Sequence, residues 1–177
     1  MKRSATDGSS QILKSSRQCA KFLLKSEPDL PIQSFLDLPD QTGQWTGIRN
    51  YQARNIQREM KPGDLAFFYH SNIKKNNGIY GVVEVVNEAY DDTLMYDITS
   101  KYYDSKAKPG KWFTIDIKLV EIWEKPVLLS TLKEEINQCI NGSESPLSLM
   151  MLFKMSRLST QRVSQLEWDH IIDMHTK

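Results

Sequence analysis

The sequence predicts an α+β fold, a curled mixed β-sheet or small barrel flanked by short helices. Strand-like segments outnumber helical ones in the middle of the chain. Consecutive strands lack the full crossover helices that an alternating βα domain requires. From Trp112 to Trp123 the residues alternate, with Phe113, Ile115, Ile117 and Leu119 on one side and Thr114, Asp116 and Lys118 on the other, which is the pattern of a strand with one buried face. At 177 residues, 40% hydrophobic and 25% charged, the composition is that of an ordinary soluble domain with material for a full core. The domain is expected over residues 19–177, after a flexible polar and basic tail at 1–18 that carries Lys2-Arg3 and Lys14 to Arg17.

The elements follow in order. Ala20 to Leu24 reads as the first strand, ended by Lys25-Ser26-Glu27-Pro28-Asp29, because proline lacks the ladder donor and restricts Glu27. Ile32 to Leu38 reads as a short helix with Phe35 and Leu36 inward, and Gly43 to Gly47 as a loop. Asn50 caps a helix running to about Met60, where Lys61-Pro62-Gly63-Asp64 stops it, and Ala53, Ile56 and Met60 share one side. Leu65 to Tyr69 is an apolar strand leading into His70-Ser71-Asn72. Ile79 to Val86 is another, with Gly81 permitting close backbone approach. Tyr90 to Gly110 is a polar insert longer than usual loops, so it holds local structure or acts as a flap. Ser130 is read as a helix cap, Pro146 to Phe153 as a short buried helix, and the residues leading to Val163 as extended. Ser164 with Glu167 forms a capping box for the last helix.

Several function classes are disfavoured. There is no GxxxxGK[ST] loop, no GxGxxG and no GxSxG. Three histidines are too few and too scattered for a His-based metal site, so neither a metal nor a cofactor is expected. The adjacent pairs Asp91-Asp92 and Glu134-Glu135 read as solvated surface. Cys19 and Cys139 give no disulfide framework, which fits a reducing intracellular compartment. No run approaches the roughly 20 apolar residues of a membrane span, so no membrane partner is expected. Formal net charge is +1, which argues against a body that coats DNA non-specifically but leaves room for a local basic patch.

What the chain does carry is Trp45-Thr46-Gly47-Ile48-Arg49-Asn50-Tyr51-Gln52-Ala53-Arg54-Asn55, an aromatic, a glycine bend, two arginines and amides in one short stretch. A core does not need that mixture, whereas a pocket for a flat polar ring uses nearly all of it. For a cytosine-like base lifted from its stack, Trp45 with Tyr69 or Tyr103 supplies aromatic faces. Glu27 or an amide oxygen accepts from the exocyclic amine, and Ser26, Asn50, Ser71 and Asn72 donate to the ring. Arg49, Arg54, Lys74, Lys75 and Arg157 reach flanking phosphates. Blander readings stand beside these: Trp45 as a core aromatic, Asn50 as a cap only, Arg49 and Arg54 as helix-surface charges, His70 paired with a carbonyl, and Tyr102-Tyr103 tethering the insert.

These motifs together resemble the EVE domain family. The resemblance runs from about Phe22 to the C-terminus and rests on Leu24-Lys25-Ser26-Glu27-Pro28, the Trp45 to Asn55 stretch, Gly63-Asp64 with Phe68-Tyr69-His70-Ser71-Asn72, Tyr102-Tyr103-Asp104, and Arg157-Leu158-Ser159 before Val163. It implies a PUA-like fold, non-enzymatic binding of a modified base in nucleic acid with 5-modified cytosine in DNA favoured over RNA, and a nuclear location. It places Trp45 at the pocket wall and Ser26, Asn50 and His70-Ser71-Asn72 at its polar edge. Alternatives are a reader of modified RNA bases, a nucleotide-processing hydrolase using His70 with Glu27 or Asp104, and a protein-interaction module built on the Tyr90–Gly110 insert.

Overall fold

The computed structural model describes residues 17–138 and 145–177. The tail expected at 1–18 falls almost wholly outside the described residues, as does Cys139. The described chain forms an open seven-stranded mixed sheet rather than a closed barrel. Its strands are β1 (Lys21–Ser26), β2 (Thr42–Trp45), β3 (Leu65–His70), β4 (Gly78–Val85), β5 (Tyr90–Asp91), β6 (Phe113–Leu128) and β7 (Thr160–Val163). They run in the order β2-β6-β4-β3-β1-β7, and β5 adds to β6. Only β1 and β3 are parallel among the pairs in this sheet. The helices are α1 (Tyr51–Gln57), α2 (Leu129–Gln138), α3 (Met151–Lys154) and α4 (Gln165–Thr176).

Period-two alternation splits the strands between two cores. Phe22, Leu24, Ala66, Phe68, Val83, Val85, Ile115 and Ile117 face α1, which contributes Ala53 and Ile56. Leu23, Phe67, Tyr69, Val82 and Trp123 face α2, α3 and α4, met by Leu132, Leu152, Trp168 and Ile171. Phe67 anchors the second core, its ring stacked 3.9 Å from Trp168 and edge-on 5.8 Å from Trp123. Such aromatic pairs add roughly 0.5–1.5 kcal/mol each beyond their buried area.

The structure corrects several local readings. Gly43 to Gly47 is not all loop, because Thr42 to Trp45 pairs antiparallel with β6, setting Trp45 against Ile115. Asn50 does cap α1, its Oδ1 accepting from Gln52 N at 2.9 Å and Ala53 N at 3.0 Å, but the helix ends at Gln57 rather than Met60. Ser130 lies inside α2, which begins at Leu129. Pro146 to Phe153 divides into a 3-10 turn, Pro146–Leu149, and the single turn of α3. The capping box is formed as expected, Glu167 N donating to Ser164 Oγ at 3.3 Å and Ser164 N donating to Glu167 Oε2 at 2.6 Å. At Gly81 the backbone of β6 comes so close that an added Cβ would sit 2.1 Å from the Glu121 carbonyl oxygen. The register shifts beside Gly81 let the long β6 bend across the sheet.

Candidate nucleic-acid interface

The parallel pair β1 and β3 ends at Ser26 and His70, and the chain leaves both strands at the same end of the sheet. Ligand crevices favour the carboxyl ends of parallel strands, where the connections diverge and leave backbone groups open. The divergence is stitched by Ser71, whose N–H and Oγ donate to the Ser26 carbonyl at 3.0 and 2.7 Å. Asn72, held at φ +59°, donates from Nδ2 to Glu27 Oε2 at 2.6 Å.

Against this end lies a recess of about 440 Å³. Ser26, Glu27, Trp45, Arg49 and Asn50 all line it. Trp45 is 4% exposed and edge-on to Phe68, with ring centroids 5.7 Å apart. Its indole is therefore part of the core and offers the recess little of its flat face. Its Nε1 is buried without a hydrogen-bond partner among the described residues. Arg49 is a clamp: Nη1 donates to Asp92 Oδ2 at 2.8 Å and Nε to the Tyr102 carbonyl at 2.8 Å, while Nη2 is buried and unpartnered among the described residues. Buried donors normally find an acceptor, so two orphans on residues that line one recess are unusual.

Asp92 was expected on a solvated surface with Asp91, yet it is 1% exposed. Burial pushes its carboxyl up, but hydrogen bonds from Arg49, Thr46 and the Gly47 and Leu94 amides outweigh burial and leave it below the ordinary carboxylate range. Sequence reasoning also passed over Tyr102, which lines the recess in the place given to Tyr103. Gly47, at φ +78°, lies against the face of the Tyr102 ring. Tyr103 is 43% exposed and outside this lining. Lys25, Leu30, Ile48, Lys101 and Ser159 also line the recess.

The remaining predicted residues are dispersed. Tyr69 is buried on the opposite face of the sheet, its hydroxyl pushed up to about 12 by burial. Ser71, Asn72 and Arg157 line a smaller recess that shares Lys25, Glu27 and Ser159 with the main one. Lys74 and Lys75 sit on an exposed turn beyond Asn72. Arg54 stacks over Tyr51 and donates to the Lys111 carbonyl at 3.1 Å, away from the recess. Asp104 is held well below the carboxylate range by Lys111, Trp112 Nε1 and the Lys106 amide.

His70 is buried too, and it belongs to the fold. Its Nε2 accepts from the Ile32 N–H at 3.0 Å, and its ring stacks 4.1 Å from Tyr80. Burial lowers its pKa. Protonation would aim a second N–H at the Ile32 N–H, so the folded state resists it. With the folded pKa below the unfolded value near 6.5, the unfolded chain binds more protons in that window. Stability is thus expected to fall as pH drops below about 6.5, with a slope of at most about 1.4 kcal/mol per pH unit. Urea unfolding of the His70→Gln variant across pH 5–8 should show a flatter profile than the parent.

An open PUA-like sheet thus carries a polar recess at the ends of the parallel pair β1 and β3, edged by Lys25, Lys101 and Arg49. The chain belongs to the EVE domain family, whose pattern matches residues 20–174. Thymocyte nuclear protein 1 of Danio rerio is 38% identical over 171 residues, covering 89% of this chain and 73% of that protein. The Homo sapiens protein of the same name is 35% identical over 188 residues, covering 97% and 83%. Two solved human structures are similar. The DUF55 domain of thymocyte nuclear protein 1 has TM-score 0.82 and 39% identity, covering 89% of this chain and 99% of that one. THYN1 in complex with 5-methylcytosine-containing DNA has TM-score 0.83 and 37% identity, covering 89% and 98%. Among the described residues, no helix is long and apolar enough to cross a membrane.

Proposed function

We propose that this protein is a non-enzymatic reader of a modified base in DNA, taking 5-modified cytosine into the Trp45–Arg49 recess, and that it works in the nucleus. The observation that carries this reading is the pair of uncommitted buried donors, Trp45 Nε1 and Arg49 Nη2, on residues of one lining. Cytosine has two adjacent acceptors on its edge, N3 and O2, so two donors suit it. Its exocyclic amine needs an acceptor, and Glu27 keeps Oε1 available because Asn72 takes Oε2. Leu30 and Ile48 in the same lining suit a 5-methyl group. The human relative bound to 5-methylcytosine DNA supports the choice of ligand, and the relatives' name supports the location.

A hydrolase reading finds less support. His70 Nε2 is committed to Ile32 and Asp104 to Lys111 and Trp112, while the carboxylate of Glu27 is bonded to Asn72 and not to His70. Among the described residues, no carboxylate is hydrogen-bonded to the His70 imidazole, the contact that would orient it as a general base.

The test is fluorescence anisotropy at one fixed salt concentration with matched oligonucleotides carrying cytosine, 5-methylcytosine or 5-hydroxymethylcytosine, as DNA and as RNA. Tighter binding of a 5-modified DNA is expected, and equal weak binding to every probe overturns the reading. Trp45→Phe keeps an aromatic ring in the core and deletes one donor. It should weaken the modified DNA about 5–10-fold, the range of one net hydrogen bond, with the fold retained by circular dichroism.

A further inference from the structure

The main recess is not isolated. The connection from α3 to β7, Lys154 to Ser159, forms a wall shared with three further hollows. Ser159 lines the main recess and also a hollow of about 270 Å³ that contains Arg157 and Ser156. Arg157 and Ser156 continue into an open hollow of about 340 Å³ that reaches Lys154 and Asn50. On the opposite face of the sheet, Ser156 and Lys25 lead into a hollow of about 350 Å³. Its lining combines the apolar side chains of Phe153, Leu152 and Leu129 with the amides of Asn72 and Asn77 and the ammonium of Lys133. One trough therefore wraps the end of β1 and β3, with the base recess on one face and the Phe153 hollow on the other.

Charge along this trough is one-sided. Lys133, Lys154 and Arg157 are exposed, and none makes an ion pair among the described residues. Glu27 is the one acid in the linings of the three hollows beyond the main recess, and Asn72 already occupies one of its oxygens. Lys25 spans both faces: its Nζ donates to the Ser156 carbonyl at 2.6 Å and lies 5.3 Å from the Tyr69 ring centroid. Burial lowers the Lys25 pKa, and a phosphate arriving beside it would raise it again. In the main recess, by contrast, Arg49 is tied to Asp92 and Lys101 to Asp29.

We infer that the Lys154–Ser159 connection is a rail for the phosphodiester backbone, and that the Phe153–Lys133 hollow is a second nucleotide subsite, holding a neighbouring nucleotide of the same DNA strand whose modified base fills the Trp45–Arg49 recess. The inference rests on the base-reading proposal and extends it from one base to a strand segment. Arg157 and Lys154 neutralise the phosphates that run along the rail. Phe153 gives the neighbouring base or sugar an apolar surface, Asn72 and Asn77 serve its polar edge, and Lys133 its phosphate. A strand crossing the end of the sheet from one face to the other is sharply turned, so an unpaired strand fits the trough and a continuous duplex does not.

The experiment compares two single-stranded DNA probes, a trinucleotide with central 5-methylcytosine and a nonamer with the same centre, titrated over a range of salt. The K133Q/R157Q double variant should lose about 5–20-fold in affinity for the nonamer, and its log–log salt slope should fall by about 1–1.5, the share of two phosphate contacts on single strands. Its preference for 5-methylcytosine over cytosine should be unchanged. F153A should weaken the nonamer more than the trinucleotide. The control variant K108Q/K118Q changes two exposed lysines outside these linings and should leave both the affinity and the slope in place. If K133Q/R157Q binds the nonamer like the parent while W45F still weakens it, the rail and second subsite are wrong and the base reading stands. If neither variant alters binding and modification has no effect, the base reading itself has failed.

Discussion

Asp92→Asn is expected to destabilise the protein by about 2–4 kcal/mol and to abolish selective binding of modified DNA. The size follows from what the carboxylate holds. Oδ2 accepts from Arg49 Nη1 at 2.8 Å and from Gly47 N at 3.1 Å, and Oδ1 accepts from Leu94 N at 3.0 Å. Asparagine has one acceptor oxygen for these two sides, so its NH₂ must meet at least one N–H group head on. The substitution also leaves the Arg49 guanidinium, 21% exposed as a side chain, without its counter-charge. Removing one partner of a buried pair costs roughly 3–5 kcal/mol, and the residual exposure of Arg49 lowers that somewhat. The functional loss follows because the same arginine holds the Tyr102 carbonyl. Urea unfolding and oligonucleotide binding measure the two effects. Because the folded pKa of Asp92 lies below its unfolded value near 3.9, its contribution is complete above that pH and is lost as pH falls through the folded pKa. The parent's stability should therefore converge toward that of the variant in acid.

Strong periodicity made much of the fold legible. β6 was read from its alternation, β3 and β4 from apolar runs bounded by turn residues, and α4 from its capping box. β2 was hidden because Thr42-Gly43-Gln44 is polar and glycine-containing, the composition of a turn. It is a strand because it is a short edge strand that borrows its partners from β6, which no local pattern reveals. Whether the sheet closed was equally illegible, since closure depends on how strand ends meet in space.

The candidate site was legible in part for the same reason. The Trp45–Asn50 stretch and Ser26-Glu27 converge on one recess because β1 and β2 deliver them there. Asp92 was missed because its partner is 43 residues away in sequence and an acidic pair in a polar insert looks solvated. Tyr102 and Tyr103 are neighbours with opposite fates, one on the recess and one exposed, and two identical side chains in a turn carry no signal to separate them. His70 looked chemical because histidine at a strand end often is. Its bond to Ile32 joins β3 to the 3-10 turn Ile32–Asp37, a tertiary contact between segments that lie 38 residues apart.

Gly47→Ala tests whether the insert is a wall of the recess or only its neighbour. The backbone at φ +78° resists any side chain, at a cost of roughly 1–2 kcal/mol. The added methyl would also lie 2.5 to 2.7 Å from three ring carbons of Tyr102, where real Cβ atoms are essentially never found. Tyr102 cannot yield freely, because its carbonyl is held by Arg49 Nε at 2.8 Å and its ring faces both the guanidinium and the Lys101 ammonium. A total loss of about 2–4 kcal/mol is expected, with modified-base binding reduced by more than tenfold. A double-mutant cycle separates the two causes. In a Tyr102→Ala background the steric part vanishes, so Gly47→Ala should cost only the backbone strain, giving a coupling of about 1–2 kcal/mol. Additive losses would mean that the ring moves aside without consequence, and the Tyr102 wall would then contribute nothing to the shape of the recess.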